Sequence, residues 1–206
     1  MWGTVRRADE NYGDAKSGNC YKVQLVCNLL NIDHEWIEVD ILAGDTRSED
    51  FLRKNPNGKI PLLELDGGET LSESNAIINF LAGGSELYPE GGLAQARILQ
   101  WQFFEQYSHE PYIAVARFIN KYLGLPDDRA EEYASKQAGG HKALRVMEQQ
   151  LQKTPYLTGE HATTADISLY AYTHVAHEGG FELADYPAIL AWLKRVASLP
   201  DFKPMA

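Results

Sequence analysis

The feature that most constrains the fold is a change of period at Gly83-Gly84-Ser85-Glu86-Leu87-Tyr88-Pro89-Glu90-Gly91-Gly92. Glycine, proline and polar residues there have the composition of a linker. Before it, strand and helix patterns alternate. His34 to Asp40 alternates around Trp36, Ile37 and Val39, Ile60 to Leu65 reads as a strand opened by Pro61, and Asp66-Gly67-Gly68-Glu69 is a hairpin turn into Thr70–Leu71. Helical spacing runs through Val23, Val26, Cys27 and Leu30, and again through Ala76, Ile77, Phe80 and Leu81. A further strand is expected before Ser17. After the linker every pattern is helical: 93–122 with Pro111 inside, where a kink is expected, 127–151 with Gly139-Gly140 as a weak spot, 163–177 and 187–199. The chain therefore reads as an α+β unit over residues 1–84, a linker over 85–92 and an all-α unit over 93–206.

A chain of 206 residues with 44% hydrophobic residues has enough apolar material for a core in each unit. A net charge of −10 argues against nucleic-acid or anionic-membrane binding. No apolar run approaches the roughly 20 residues of a membrane span, and the N-terminus lacks the apolar core of a signal peptide. Cys20 and Cys27 fall on one helix about 10 Å apart at about 1.5 Å per residue, too far for a disulfide. A protein of a reducing, cytoplasmic compartment is expected. His174 and His177 lack a Cys, Asp or Glu partner for zinc, so no metal is expected.

Three stretches carry chemistry. Ser17-Gly18-Asn19-Cys20-Tyr21-Lys22-Val23 puts a hydroxyl and a thiol on the first turn of a helix, beside unpaired amides and the positive end of the dipole. That setting favours a thiolate, either the chain's own or one brought to it. Asn55-Pro56-Asn57-Gly58-Lys59-Ile60-Pro61 has a proline entering a strand after a turn, a candidate cis peptide. Ile60 N–H and C=O would then be offered to an extended peptide ligand, with Lys59 beside them for a carboxylate. An ordinary turn with a solvated lysine is the other reading. Glu73-Ser74-Asn75-Ala76-Ile77 starts a helix whose amides and Ser74 hydroxyl suit a carboxylate, while Glu73 suits an ammonium. Ser72 acting as a simple cap is the other reading there. Thr163-Thr164-Ala165-Asp166 reads as a capping box, a folding signal.

These stretches, S-G-N-C-Y-K-V, N-P-N-G-K-I-P, L-S-E-S-N-A-I and T-T-A-D-I, occur in the order and at the spacing of glutathione S-transferases, and the chain resembles a bacterial cytosolic member with a serine-type active site. The resemblance implies a thioredoxin-like domain followed by the family's all-α domain, and a homodimer. It implies glutathione as co-substrate, with Glu73 and Ser74 on the γ-glutamyl head, Ile60 beside Pro61 on the cysteinyl backbone and Lys59 on the glycyl carboxylate. Ser17 would then hydrogen-bond the sulfur, for attack on a small hydrophobic electrophile in a detoxification reaction.

Cys20 is the rival, since some bacterial members carry a cysteine there that forms mixed disulfides with glutathione; a glutathione-dependent disulfide or thiol-transfer enzyme using Cys20 is the alternative function. Asn19 is a second donor to the same sulfur. Cys20 also shares the stripe of Val23, Cys27 and Leu30, so a packed first-turn cysteine stays open. Cys27 is read as core. A non-catalytic glutathione-fold binding protein is the third alternative. Tyr107, Tyr112, Arg117 and Phe118 are candidates for the electrophile pocket, and Glu105, Ser108 and His109 for reaching a neighbouring subunit. One feature departs from the pattern: Arg6-Arg7-Ala8-Asp9-Glu10-Asn11 is charged where a central strand, buried on both faces, calls for apolar residues. A frayed first strand is one expected consequence.

Overall fold

The structure, a computed structural model, describes residues 9–206. Two compact units emerge, one of residues up to Ala82 together with Pro200–Ala206, the other of Gly83–Leu199.

The first unit runs β1 (Asp9–Gly13), α1 (Gly18–Leu29), β2 (His34–Glu38), α2 (Glu49–Lys54), β3 (Leu62–Glu64), β4 (Thr70–Ser72) and α3 (Ser74–Leu81). The four strands form one sheet in the order β2-β1-β3-β4. β1 is parallel to β2 and antiparallel to β3, and β3–β4 is a hairpin. α1 and α3 pack together on the face to which Asn11 points, where its Nδ2 lies 3.9 Å from Cys27 Sγ. On the other face Tyr12 and Ile60 pack against Val39, Phe51 and Leu62, so α2 covers it.

β1 is thus paired on both sides and not frayed; Arg6, Arg7 and Ala8 lie outside the described residues. Its polar residues are accommodated by specific partners. Glu10 faces Glu64 across the β1–β3 register, a like-charge pair that is unfavourable by itself. The Tyr12 hydroxyl lies 2.7 Å from Glu10 Oε2 and 3.1 Å from Glu64 Oε2, and Lys54 Nζ donates to both Tyr12 and Glu64. The Lys54 hydrogen bond holds the Glu64 carboxyl below its ordinary range.

The second unit contains α4 (Gly92–Phe104), α5 (Glu110–Arg117), α6 (Ala130–Leu151), α7 (Thr164–Thr173) and α8 (Pro187–Ala197). Where a kink was expected in the long helix, the ladder changes register. A π-helical turn, Glu105–His109, separates α4 from α5, whose second residue is Pro111. A proline has no N–H for the helix ladder, and the wider turn removes the clash with the preceding carbonyl. α7 is buried along its whole length. Its start is the expected capping box: Thr163 N donates to Asp166 Oδ2 at 2.9 Å, and the Thr163 side chain accepts from the Asp166 backbone N–H. Asp166 also accepts from Leu157 N and Trp192 Nε1, each at 2.9 Å. Glu148 of α6 plays a similar part for α8, accepting from Ala188 N at 3.0 Å and Ile189 N at 2.9 Å.

Three expectations change. Gly139-Gly140 is no weak spot: α6 passes through it unbroken, and a Cβ at Gly139 or Gly140 would collide with the ring of Tyr112 or Phe181. The glycines are sites of close ring-on-backbone packing. The 85–92 stretch is docked on the helical unit: Leu87 is buried and its carbonyl accepts from Thr164 N at 2.8 Å. The last seven residues, assigned above to the helical unit, belong with the first, where the Tyr21 hydroxyl donates to Lys203 O at 2.8 Å.

Candidate active site

Ser17 caps α1, with extended φ −79° and ψ 124°, and its Oγ accepts from Cys20 N at 3.4 Å. That bond is long, so the hydroxyl is only loosely committed to its cap. It is half-buried, whereas Cys20 is fully buried. Burial pushes the Cys20 thiol up to about 12, the Ser17 hydrogen bond opposing only in part. Cys27 is likewise pushed to about 12, chiefly by burial. Neither thiol is ionised near neutrality. Trp36 lies against this corner, since a Cβ on Gly13 would come within 2.9 Å of its Cζ2 and 3.0 Å of Cys20 Cβ. The indole N–H donates to Glu38 Oε2 at 2.8 Å.

The turn before β3 is built by Asn55. Its Nδ2 donates to Lys59 O at 2.7 Å, while its Oδ1 and carbonyl accept from Asn57 N at 3.1 Å and Gly58 N at 2.9 Å. Gly58 takes φ 62°, a region that favours glycine. The Ile60–Pro61 peptide is cis, as the turn predicts. Strand pairing begins at Leu62, one residue beyond Pro61, and Ile60 is half-buried with Lys59 exposed.

At the start of α3, Glu73 rather than Ser72 is the cap residue, with no side-chain cap and φ 71°, ψ 110°. Such a backbone is costly for a non-glycine residue and persists at ligand-holding positions. Its carboxylate is left in solvent beside the first amides of α3, and Ser74 is buried. The Ser74 hydroxyl accepts from Lys22 Nζ at 3.3 Å and donates to Asn19 Oδ1 at 3.2 Å. One hydrogen-bonded chain therefore joins α1, where Ser17 and Asn19 sit, to α3. Sequence reasoning missed Lys22. Its only signal was a lysine on the buried stripe of α1, between Tyr21 and Val23.

In the helical unit the four electrophile-side candidates do not share one site: Tyr107 and Tyr112 line one cleft, and Arg117 and Phe118 lie elsewhere. Tyr107 is 81% exposed and lines a cleft of about 110 Å³ with Ser108, Tyr112 and Lys142. Arg117 is buried in an ion pair with Glu178 at 2.6 Å, and Phe118 stacks on Tyr122. Glu105 and His109 are fully buried in the π turn, with His109 Nε2 2.9 Å from Thr173 Oγ1, so of the three proposed to reach a neighbour only Ser108 has surface. A larger cleft, about 380 Å³ and bordered by Arg97, Ile98 and His161, has no counterpart in the sequence reading. Among the described residues no His, Cys, Asp and Glu group can hold a metal ion, and no helix is long and apolar enough to cross a membrane.

Comparison with known proteins gives the same two-part division. Residues 17–83 match the glutathione S-transferase N-terminal domain and residues 100–200 the C-terminal domain. A glutathione S-transferase structure from Pseudomonas fluorescens Pf-5 superposes with a TM-score of 0.95 at 61% identity, covering 97% of this chain and 99% of that one. Glutathione S-transferase 3 of Zea mays is 33% identical over 205 residues, 93% of this chain and 90% of the maize protein. The disulfide-bond oxidoreductase YfcG of Escherichia coli K12 is 30% identical over 193 residues, 90% of this chain and 89% of its own. With a mixed α/β first unit carrying a four-stranded sheet, an all-helical second unit and both domain models matched, this chain belongs to the glutathione S-transferase family.

Proposed function

We propose that the protein is a glutathione transferase that activates the thiol of glutathione through Ser17 for attack on a hydrophobic electrophile. The observation that carries this reading is the contrast between Ser17, a half-buried cap with a 3.4 Å bond, and Cys20, whose thiol is buried and held near 12. At pH 7 such a thiol is ionised in roughly one molecule in 10⁵, too few to serve as a nucleophile.

Glutathione supplies charges that groups of the first unit complement. The glutamyl ammonium meets the Glu73 carboxylate, and its α-carboxylate meets the Ser74 hydroxyl and the first amides of α3. The cysteinyl backbone pairs with Ile60 N–H and C=O beside cis-Pro61, and the glycyl carboxylate meets Lys59. The thiol reaches Ser17 and the N-terminus of α1. Its proton leaves to solvent, the Ser17 hydroxyl donates to the sulfur anion, and Asn19 is a second donor within reach. Lowering a thiol pKa from about 8.5–9 to about 6–7 requires roughly 3 kcal/mol, which a charge-assisted hydrogen bond of about 1.5–3 kcal/mol plus the helix dipole can supply. The thiolate then forms a carbon–sulfur bond to the electrophile as the carbon's bond to its leaving group breaks, releasing halide to solvent where the substrate is an activated aryl halide. Tyr107 and Tyr112 offer ring surface for an apolar substrate, whereas Arg117 and Phe118 are engaged in packing. Leu93, Phe103 and Tyr107, exposed along one helical stretch, support a homodimer. A cytoplasmic setting, where reduced glutathione is abundant, follows from the co-substrate.

The likeness to YfcG favours a second reading, disulfide reduction with glutathione as thiol donor, in which Ser17 and Asn19 stabilise the same thiolate without Cys20. The test is conjugation of glutathione to an activated aryl halide beside reduction of a model disulfide. Ser17→Ala should lower kcat/KM by about 10- to 100-fold and raise the apparent pKa of bound glutathione by at least about one unit. Cys20→Ser should leave both nearly unchanged. Activity lost in Cys20→Ser but kept in Ser17→Ala would overturn the assignment, and disulfide turnover without conjugation would select the second reading.

A further inference from the structure

We infer that Lys22 is a positioning residue for the α-carboxylate of the glutathione head group, acting through Ser74 and placing a positive charge behind this subsite from inside α1. The inference rests on the glutathione reading above and deepens it.

Lys22 has no exposed surface, an uncommon position for a lysine. Its Nζ donates to Ser74 Oγ at 3.3 Å. Ser74 is itself 6% exposed and opens α3. An ammonium can only donate, so it occupies a lone pair of the Ser74 hydroxyl and turns the hydroxyl proton outward, here onto Asn19 Oδ1 at 3.2 Å. A carboxylate arriving at the N-terminus of α3 takes that same proton. Its oxygen then lies within about 6 Å of the Lys22 nitrogen, adding an O–H···O bond of about 2.7 Å to the 3.3 Å already present. The neighbouring carboxylate of Glu73 would repel that group by itself. A buried cation behind Ser74 offsets this repulsion, where screening by salt is weakest. The chain Lys22–Ser74–Asn19 also ends one residue from the cysteinyl thiol's anchor, Gly18 alone separating Asn19 from Ser17. Head-group binding and the sulfur site therefore both lean on the first turn of α1.

The test compares two ligands by calorimetric titration: glutathione, and γ-aminobutyryl-cysteinyl-glycine, which keeps the ammonium and the thiol but lacks the α-carboxylate. Lys22→Met should weaken glutathione binding by about 10- to 100-fold, the scale of a lost charge-assisted contact, and change analogue binding by less than about 2-fold. Circular dichroism checks that the variant is folded. Lys22→Arg keeps the charge and should keep the wild-type preference for glutathione over the analogue, so the inference stays testable if Lys22→Met does not fold. Equal weakening of both ligands would mean that Lys22 only supports the fold, and unchanged glutathione binding in folded Lys22→Met would mean it supplies nothing. Either result overturns the inference while leaving the transferase reading intact. Wild-type protein that binds neither ligand overturns both.

Discussion

Ser17 and Cys20 stand three residues apart on the same turn, yet they face different surroundings. The cap position keeps the serine hydroxyl at the surface of α1, while the thiol, later on that turn, points into the interior. Sequence spacing put both beside the helix N-terminus, and only packing separated them. Their titration follows. A thiol raised from 9.0 to about 12 keeps its proton in the folded chain while the unfolded chain loses it from about pH 9. The stability tied to each protonated thiol is therefore complete below pH 9 and is lost as pH climbs from there toward 12. We expect native Cys20 and Cys27 to resist alkylation by iodoacetamide at pH 8, read by mass spectrometry, and both to react fully in denaturant. Rapid modification of Cys20 in the native protein would show that its burial is transient and return it to the list of nucleophiles. Lys22 carries the same lesson in reverse. A lysine in a helix reads as a solvated charge, and only the fold turns it inward onto Ser74.

Elements were legible where the chemistry is local. The capping box of α7, the cis peptide after Asn55-Pro56-Asn57-Gly58 and the hairpin at Asp66-Gly67-Gly68 all use residues within a few positions of one another. The Gly139-Gly140 pair was misread because its reason is distant: the rings of Tyr112 and Phe181 rest on that stretch of α6. Alanine is the better helix former by about 1 kcal/mol, so local propensity alone forecasts that Gly140→Ala stabilises the protein. Packing forecasts the opposite, a loss of roughly 1–3 kcal/mol from the forced displacement of Phe181. Urea unfolding decides between them; a rise in midpoint would show that Phe181 moves aside at little cost. The polar β1 is a similar case. Glu10 looks wrong for a central strand until the Tyr12 hydroxyl bonds it, and Tyr12 is held in turn by Glu64 and Lys54, more than 40 positions away.

At the scale of the whole molecule, the chain does not divide as a single cut at the linker would have it. Pro200–Ala206 returns to the first unit and lays Lys203 O on the Tyr21 hydroxyl, with Asp201 accepting from Asn31 Nδ2 at 3.2 Å. The tail therefore braces α1, the helix that carries Ser17, Asn19 and Lys22. Removing residues 201–206 should destabilise the first unit by about 1–2 kcal/mol, the worth of one or two hydrogen bonds and their packing. Hydrogen exchange of the α1 amides measures this: faster exchange over residues 18–29 is expected, and unchanged protection there would show that the tail is decorative.

What the sequence by itself determined was the two-unit plan and the caps and turns within it. These depend on periodicity, on turn chemistry and on charged groups whose meaning is set by near neighbours. What only the tertiary structure decided was which of two adjacent groups meets solvent, which lysine is buried behind Ser74, why a glycine pair sits inside a helix and where the last residues go. Each of these depends on contacts between residues far apart in the chain, and burial, which sets the protonation of Cys20 and the reach of Lys22, exists only once those contacts form.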